Sequence, residues 1–213
     1  ELLVNEELEQ RVKTGQISAD ERNKIRAHVR YTDALENGIR GADLVIEAIP
    51  ERLELKRQLF AKLDTLAAPE TILASNSSSI KISAIENATK RLDKVLNLHF
   101  YGVIWERPMV ELMRGSATTD ATIEQVYRFA QRIGVTPLVV DKESTGFIFN
   151  RVWRAVKRET LHLVDEGVTS HEDVDRAWMI FTGMPMGPFA LMDRIARDVI
   201  CDIENVYYRE SGD

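Results

Sequence analysis

The sequence predicts an α/β chain, a doubly wound parallel-sheet layer followed by a small all-helical domain. Three observations carry this. Short, continuously apolar, β-branched runs recur between residues 43 and 141, as expected of strands buried on both faces of a parallel sheet. Helical patterns lie between those runs, and strand–helix alternation is the pattern of a doubly wound layer. After about residue 145 only helix-period patterns remain, which sets a boundary at 141–146 and units of 1–143 and 144–213.

In order along the chain, Leu3, Leu8 and Val12 follow a helical period ahead of Gly15. The stretch ISADERNKIRAHV opens at Ser18, an N-cap type, with Glu21 three residues on to complete a capping box. The strands are DLVIEAI (43–49), TILAS (71–75), KVLNLHF (94–100) and TPLVVD (136–141), with VELMRG (110–115) as one more. ERLELKRQLFAKLDTLA (51–67) and DATIEQVYRFAQRIG (120–134) are the clearest helices among them, and a further helix is expected after the polar loop that follows TILAS. GFIFNRVWRAVKRETLHLVDEG (146–167) reads as one long helix closed by Gly167. Phe149, Val152, Trp153, Val156, Thr160, Leu163 and Val164 lie along its apolar face. SHEDVDRAWMIFTG (170–183) opens at Ser170 and closes at Gly183. MPMGPF is a turn, and ALMDRIARDVICDIENVYY (190–208) is helical.

Composition narrows the function. The 213 residues are 44% hydrophobic, enough for a packed core, and carry a net charge of −6. That charge argues against nucleic acid as a partner, and an anionic substrate needs a local cluster of Lys or Arg. The one cysteine, Cys201, excludes an intrachain disulfide and a multi-cysteine metal site, and fits a reducing compartment. No metal site is expected. No stretch has the ~20 apolar residues of a membrane span, and the acidic N-terminus has no signal-peptide core. A cytoplasmic location is the expectation.

ILASNSSSI runs from a strand into a loop of Ser75, Asn76, Ser77, Ser78 and Ser79. Ligands of open α/β sheets bind outside the carboxyl ends of strands. Such a loop can bond a cofactor amide or a substrate carbonyl, or simply serve turn and cap chemistry. His99 ends the next strand, at the same rim, and an imidazole titrating near pH ~6.5 can take and return a proton. Glu111, twelve positions on, can turn back beside it to fix its tautomer and raise its basicity. On spacing alone, a structural histidine and a solvated glutamate are an equal alternative. His28, His162 and His171 sit in charged helical contexts. Glu51 and Lys56, at the start of the helix after DLVIEAI, read by themselves as helix-dipole and solvent-face residues.

Taken in order, GADLVIEAIPERLELKRQLFAKLD, ILASNSSSI, LHF…VELM, GFIFNR and GMPMGPFALMD resemble the L-3-hydroxyacyl-CoA dehydrogenase family over essentially all of the chain. The resemblance implies an incomplete Rossmann-like doubly wound sheet followed by an all-helical dimerisation domain. It implies NAD as cofactor, oxidation of (S)-3-hydroxyacyl-CoA to 3-oxoacyl-CoA, and a place in fatty-acid metabolism. His99 then matches the catalytic base and Glu111 its partner. Ser78 matches a residue touching substrate and nicotinamide, Asn150 a substrate-side asparagine, and Glu51 and Lys56 cofactor contacts. Lys13, Arg22, Lys24 and Arg26 fall in the region resembling the family's CoA-contacting tail.

Two departures qualify the match. Where the family continues HFFNPV, this chain has Gly102 in place of the asparagine, then Ile104, Trp105, Glu106 and Arg107 at the pocket rim. A small hydroxy acid or diketone is therefore the alternative substrate class. Nor does any G-x-G-x-x-G occur, so the chain reads as an internal fragment expected to bind NAD poorly by itself. A non-catalytic dimerisation module is the alternative of another class. The helical domain predicts a homodimer, with Trp153, Trp178 and Phe181 in its interface or in the core behind it.

Overall fold

A computed structural model describes residues 2–102, 104–195, 204, 205 and 208. Among them is a five-stranded sheet of β1 (Leu44–Glu47), β2 (Ile72–Ser75), β3 (Val95–Phe100), β4 (Met109–Arg114) and β5 (Thr136–Val140), side by side in that order. β1, β2 and β3 are parallel, β4 is antiparallel to β3, and β5 is parallel to β4. The sheet is thus mixed, not wholly parallel as expected from the strand patterns. The reason is chain length. Only residues 101–108 join β3 to β4, and a parallel return takes a crossover of about a dozen residues or more.

Every residue of β2 is buried, and so are Val95 to His99 of β3, which is what their unbroken apolar runs foretell. One face packs Ile72, Leu96, Leu98, Val110 and Leu112 on Ile123 and Val126 of helix α5 (Asp120–Arg132). The other packs Leu73 and Val95 on Phe60 and Leu63 of α4 (Leu53–Leu66) and on Ile82 and Ile85. Each such side chain, fully buried, contributes about 1.5–3 kcal/mol. Three helices precede the sheet: α1 (Leu2–Lys13), α2 (Ala19–His28) and α3 (Leu35–Ile39). The capping box of α2 is present, with the Ser18 hydroxyl accepting from the Glu21 amide and the Glu21 carboxylate accepting from the Ser18 amide. The five-residue α3 carries no side-chain cap, and no pattern announced it.

The helix expected after the serine loop is replaced by two short 3₁₀ turns, Ile82–Ala84 and Glu86–Ala88. Buried Asn97 of β3 explains this: its side chain accepts from the Ile82 amide at 2.8 Å and donates to the Ile80 carbonyl at 3.2 Å. Those backbone groups are committed to the sheet.

Helices α6 (Phe149–Asp165), α7 (His171–Thr182) and α8 (Pro188–Ile195) follow. α6 starts later than residue 146 because Gly146 and Phe147 both have positive φ, +76° and +53°; a left-handed step breaks the α-helical path. Buried Lys157, not the apolar stripe alone, faces inward, where it pairs with Glu204. Ser170 caps α7, and Gly183 ends it in the left-handed region. The helix expected over 190–208 matches α8 in its first part; residues 196–203, Cys201 included, lie outside the described residues. Trp153 and Trp178 are half-buried, whereas Phe181 is exposed. Among the described residues no helix is long and apolar enough to cross a membrane, and no cluster of ligating side chains could hold a metal ion.

Candidate active site

The antiparallel return of β4 sets His99 directly opposite Glu111. Glu111 is the third residue of β4, near its amino end rather than the carboxyl end, and reaches the rim of β1–β3 because β4 runs backwards. His99 Nδ1 lies 3.4 Å from Glu111 Oε2, a long bond of the kind that tightens when a site is occupied. The same Oε2 accepts a 2.6 Å bond from the Tyr101 hydroxyl. Oε1 accepts the amides of Ile148 and Phe149, each at 2.9 Å, where α6 begins.

Glu111 is 0% exposed. Burial alone pushes its carboxyl pKa up, but the bonds from His99, Tyr101, Phe149 and Ile148 outweigh it and hold the group below its ordinary value. The carboxylate is therefore a fixed anion beside the imidazole. His99 is also walled by rings, Tyr101 at 4.3 Å and Phe147 at 5.1 Å between centroids.

The serine loop after β2 is organised around a second carboxylate. Glu51 Oε1 accepts from the hydroxyls of Ser77 and, at 2.7 Å, Ser79, and from the amides of Ser79 and Ile80. Burial pushes the Glu51 pKa up, and those hydroxyls with the Lys56 cation bring it below its ordinary value. Ser78, between the two bonded serines, is exposed. Asn76 ties the loop to β3 by accepting the Phe100 amide at 2.9 Å. Asn150 stands in the first turn of α6, next to the amides that hold Glu111.

Lys56 is buried, not on the solvent face that its helix position suggests by itself. It is 1% exposed, and its ammonium meets Glu47 Oε1 at 2.6 Å, Glu51 Oε2 at 3.2 Å and the Ile49 carbonyl at 3.2 Å. A lysine has three donors, so all are engaged inside the protein. The partly exposed Glu51 carboxylate, at 38%, stands between it and the rim. Sequence reading missed Glu47 and Tyr101. A carboxylate inside the apolar run DLVIEAI was a legible sign for Glu47, since a buried charge needs a partner; no sequence signal marked Tyr101. At the outer rim, the Arg11 guanidinium of α1 sits 4.8 Å over the Trp105 ring.

The cross-strand His99–Glu111 pair sits in a chain that sequence comparison assigns to a family. Residues 2–144 match the family model for the 3-hydroxyacyl-CoA dehydrogenase NAD binding domain, and residues 146–213 match the C-terminal domain of the same family. The chain belongs to the 3-hydroxyacyl-CoA dehydrogenase family. Members of that family are NAD-dependent oxidoreductases. The chain is 36% identical over 211 residues to 3-hydroxybutyryl-CoA dehydrogenase of Clostridioides difficile, covering 99% of this chain and 74% of that protein. It is 40% identical over 160 residues to human mitochondrial hydroxyacyl-coenzyme A dehydrogenase, covering 75% of this chain and 51% of that one. The (S)-3-hydroxybutyryl-CoA dehydrogenase of Ralstonia eutropha superposes with a TM-score of 0.91 at 29% identity, over 98% of this chain and 73% of that chain. A diketoreductase superposes with a TM-score of 0.86 at 32% identity, over 97% and 78%. The chain spans about half the length of the human dehydrogenase.

Proposed function

We propose that this chain carries the catalytic residues of an NAD-dependent dehydrogenase oxidising (S)-3-hydroxyacyl-CoA to 3-oxoacyl-CoA, with His99 as base and Glu111 as its partner. The observation that carries the reading is the cross-strand His99–Glu111 pair, with the carboxylate buried and bonded on both oxygens.

A proton on Nδ1 directed at Glu111 leaves Nε2 as the lone-pair nitrogen. Nε2 takes the proton of the substrate's C3 hydroxyl, and the fixed Glu111 anion stabilises the imidazolium that results. NAD, when bound, supplies the acceptor for the hydride from C3. The rim suits the nicotinamide half of that cofactor. Glu51 offers a carboxylate already oriented by four donors, the chemistry that accepts ribose hydroxyls, and Ser78 offers an exposed hydroxyl. Lys56 acts behind Glu51. Asn150 serves the substrate side, next to the helix start that holds Glu111.

A non-catalytic module has no use for a buried acid held against a histidine at the mouth of a sheet. Replacing His99 is the test. In the full-length protein, His99→Gln lowers kcat by roughly 10²–10⁴-fold, the scale of general base catalysis; near-normal turnover would overturn the assignment.

For the substrate, exposed Lys13, Lys24 and Arg26 on the opening helices favour a CoA ester, whose phosphates they can meet by charge-assisted bonds. Arg22 is already held by both oxygens of Glu9. The second reading, a free hydroxy acid or a diketone, is favoured by Gly102, which has no side chain to offer at the rim, and by the likeness to the diketoreductase. Comparing kcat/KM for 3-hydroxybutyryl-CoA with that for 3-hydroxybutyrate and small diketones decides. A preference of about tenfold or more for the free compounds sinks the CoA reading. The helical domain serves as the homodimer interface in this reading, and the single cysteine accords with a cytoplasmic site of action.

A further inference from the structure

Two donors converge on one oxygen in this site. Glu111 Oε2 takes the Tyr101 hydroxyl at 2.6 Å and His99 Nδ1 at 3.4 Å. The hydroxyl is the nearer partner by a wide margin. The Tyr101 ring also lies against the imidazole, 4.3 Å between centroids and tilted by 58°, and it meets Phe149 edge-on at 5.5 Å. The phenol is therefore held beside the pair by two ring contacts.

We propose that Tyr101 is a positioning residue that sets the basicity of His99 by competing with it for the Glu111 carboxylate. The inference rests on the His99–Glu111 reading given above and goes beyond it. A short O–H···O⁻ bond draws negative charge on Oε2 toward the hydroxyl, leaving a weaker acceptor for the imidazole N–H. A weaker acceptor stabilises the imidazolium less. The Tyr101 hydroxyl thereby weakens the hold of the carboxylate on the imidazole N–H relative to an undivided carboxylate.

The neighbours leave this role to Tyr101. β3 presents His99 and β5 presents Leu138 beside Glu111. The start of α6 presents the Ile148 and Phe149 amides, and the segment before it the Phe147 ring. In the β3–β4 loop, the Arg107 guanidinium approaches Gly102 and is not bonded to the carboxylate. Among the described residues, the side chains bonded to Glu111 are those of His99 and Tyr101.

Tyr101→Phe tests the inference, since it removes one oxygen and keeps the ring that packs on His99 and Phe149. NMR titration of the His99 imidazole, assigned by its loss in His99→Gln, reads the effect without requiring turnover. The midpoint is expected to rise, with proton affinity increasing by about three- to tenfold, the scale of one hydrogen bond redistributed between two partners. In the active full-length enzyme, the acid limb of kcat/KM for the oxidation moves to higher pH by the same amount. The same replacement in a Glu111→Gln background is expected to leave the His99 midpoint where that background sets it, because the effect passes through the carboxylate. An unchanged or lowered midpoint in Tyr101→Phe overturns the inference. So does a shift that persists without the carboxylate, which would place the effect in the ring contact. A raised midpoint in a protein that fails to oxidise any hydroxyacyl substrate keeps Tyr101 in this role and overturns the dehydrogenase reading instead.

Discussion

At the scale of single residues, Glu111 does the work of two groups. One oxygen orients His99 and the other caps the start of α6 through the Ile148 and Phe149 amides. Its pKa is lowered in the folded protein from an ordinary 4.5, so the unfolded chain binds its proton first as pH falls. The stability it contributes is therefore complete above 4.5 and is lost as pH drops through the lower folded value. Urea unfolding of wild type and Glu111→Gln measures this. The stability gap between them is expected to be widest near neutrality and to narrow on acidification below 4.5. A gap that does not vary with pH removes the argument. The roles proposed for Ser78 and Asn150 rest on the family resemblance, because a hydroxyl and an amide carry no chemistry that spacing alone assigns to one residue. Tyr101 was not readable at all, since its importance lies in a bond across the β3–β4 turn.

At the scale of elements, the docking of α4 shows how a site is supported from behind. The helix buries Phe60 and Leu63 on the sheet, as its period predicts, and it also buries Lys56. That cation reaches Glu47 of β1, itself bonded by the Ser75 hydroxyl of β2 at 2.7 Å, and Glu51 at the rim. One ammonium thus joins a helix, a strand and the serine loop. Removing it strands two carboxylates, one of them fully buried. Lys56→Met is expected to destabilise the protein by about 3–5 kcal/mol, the usual cost of leaving a buried ion unpaired, despite matching the lysine stem in length. Chemical denaturation checks it, and a loss of under about 1 kcal/mol, the worth of a surface ion pair, contradicts the buried network. The helix pattern of 51–67 announced α4 but could not tell that position 56 faces inward, because a lysine on an amphipathic helix is normally solvated.

At the scale of the molecule, the α6–α8 unit leaves large apolar side chains uncovered. Ile180 is 78% exposed and Phe181 92%, with Val152 of α6 and Met184 also exposed. Large exposed apolar side chains of this kind mark an association site. The expected outcome is a homodimer through this face. Sedimentation of wild type at micromolar concentration should give the dimer, and Phe181→Asp should shift it toward monomer with the α/β core intact by circular dichroism. A wild-type monomer, or a variant dimer of unchanged affinity, excludes this face.

What the sequence by itself determined is whatever local rules encode. The strand and helix periods, the Ser18 and Ser170 caps, the Gly167 and Gly183 stops and the change of class near 145 were all legible, because each depends on residues within a few positions of one another. The order of family motifs pointed to His99 and Glu111 as the candidate pair. What only the tertiary structure decided are the contacts that close over distance. The antiparallel return puts Glu111 at the rim from the amino end of β4, and the Asn97 side chain turns an expected helix into two 3₁₀ turns. The left-handed Gly146–Phe147 step delays α6 until its amides meet Glu111. Lys56 turns inward, and Tyr101 closes on the carboxylate. Periodicity reports which face of an element is apolar; it carries no information about which polar group on another element waits there, and hydrogen-bond geometry settles that only once the strands are paired.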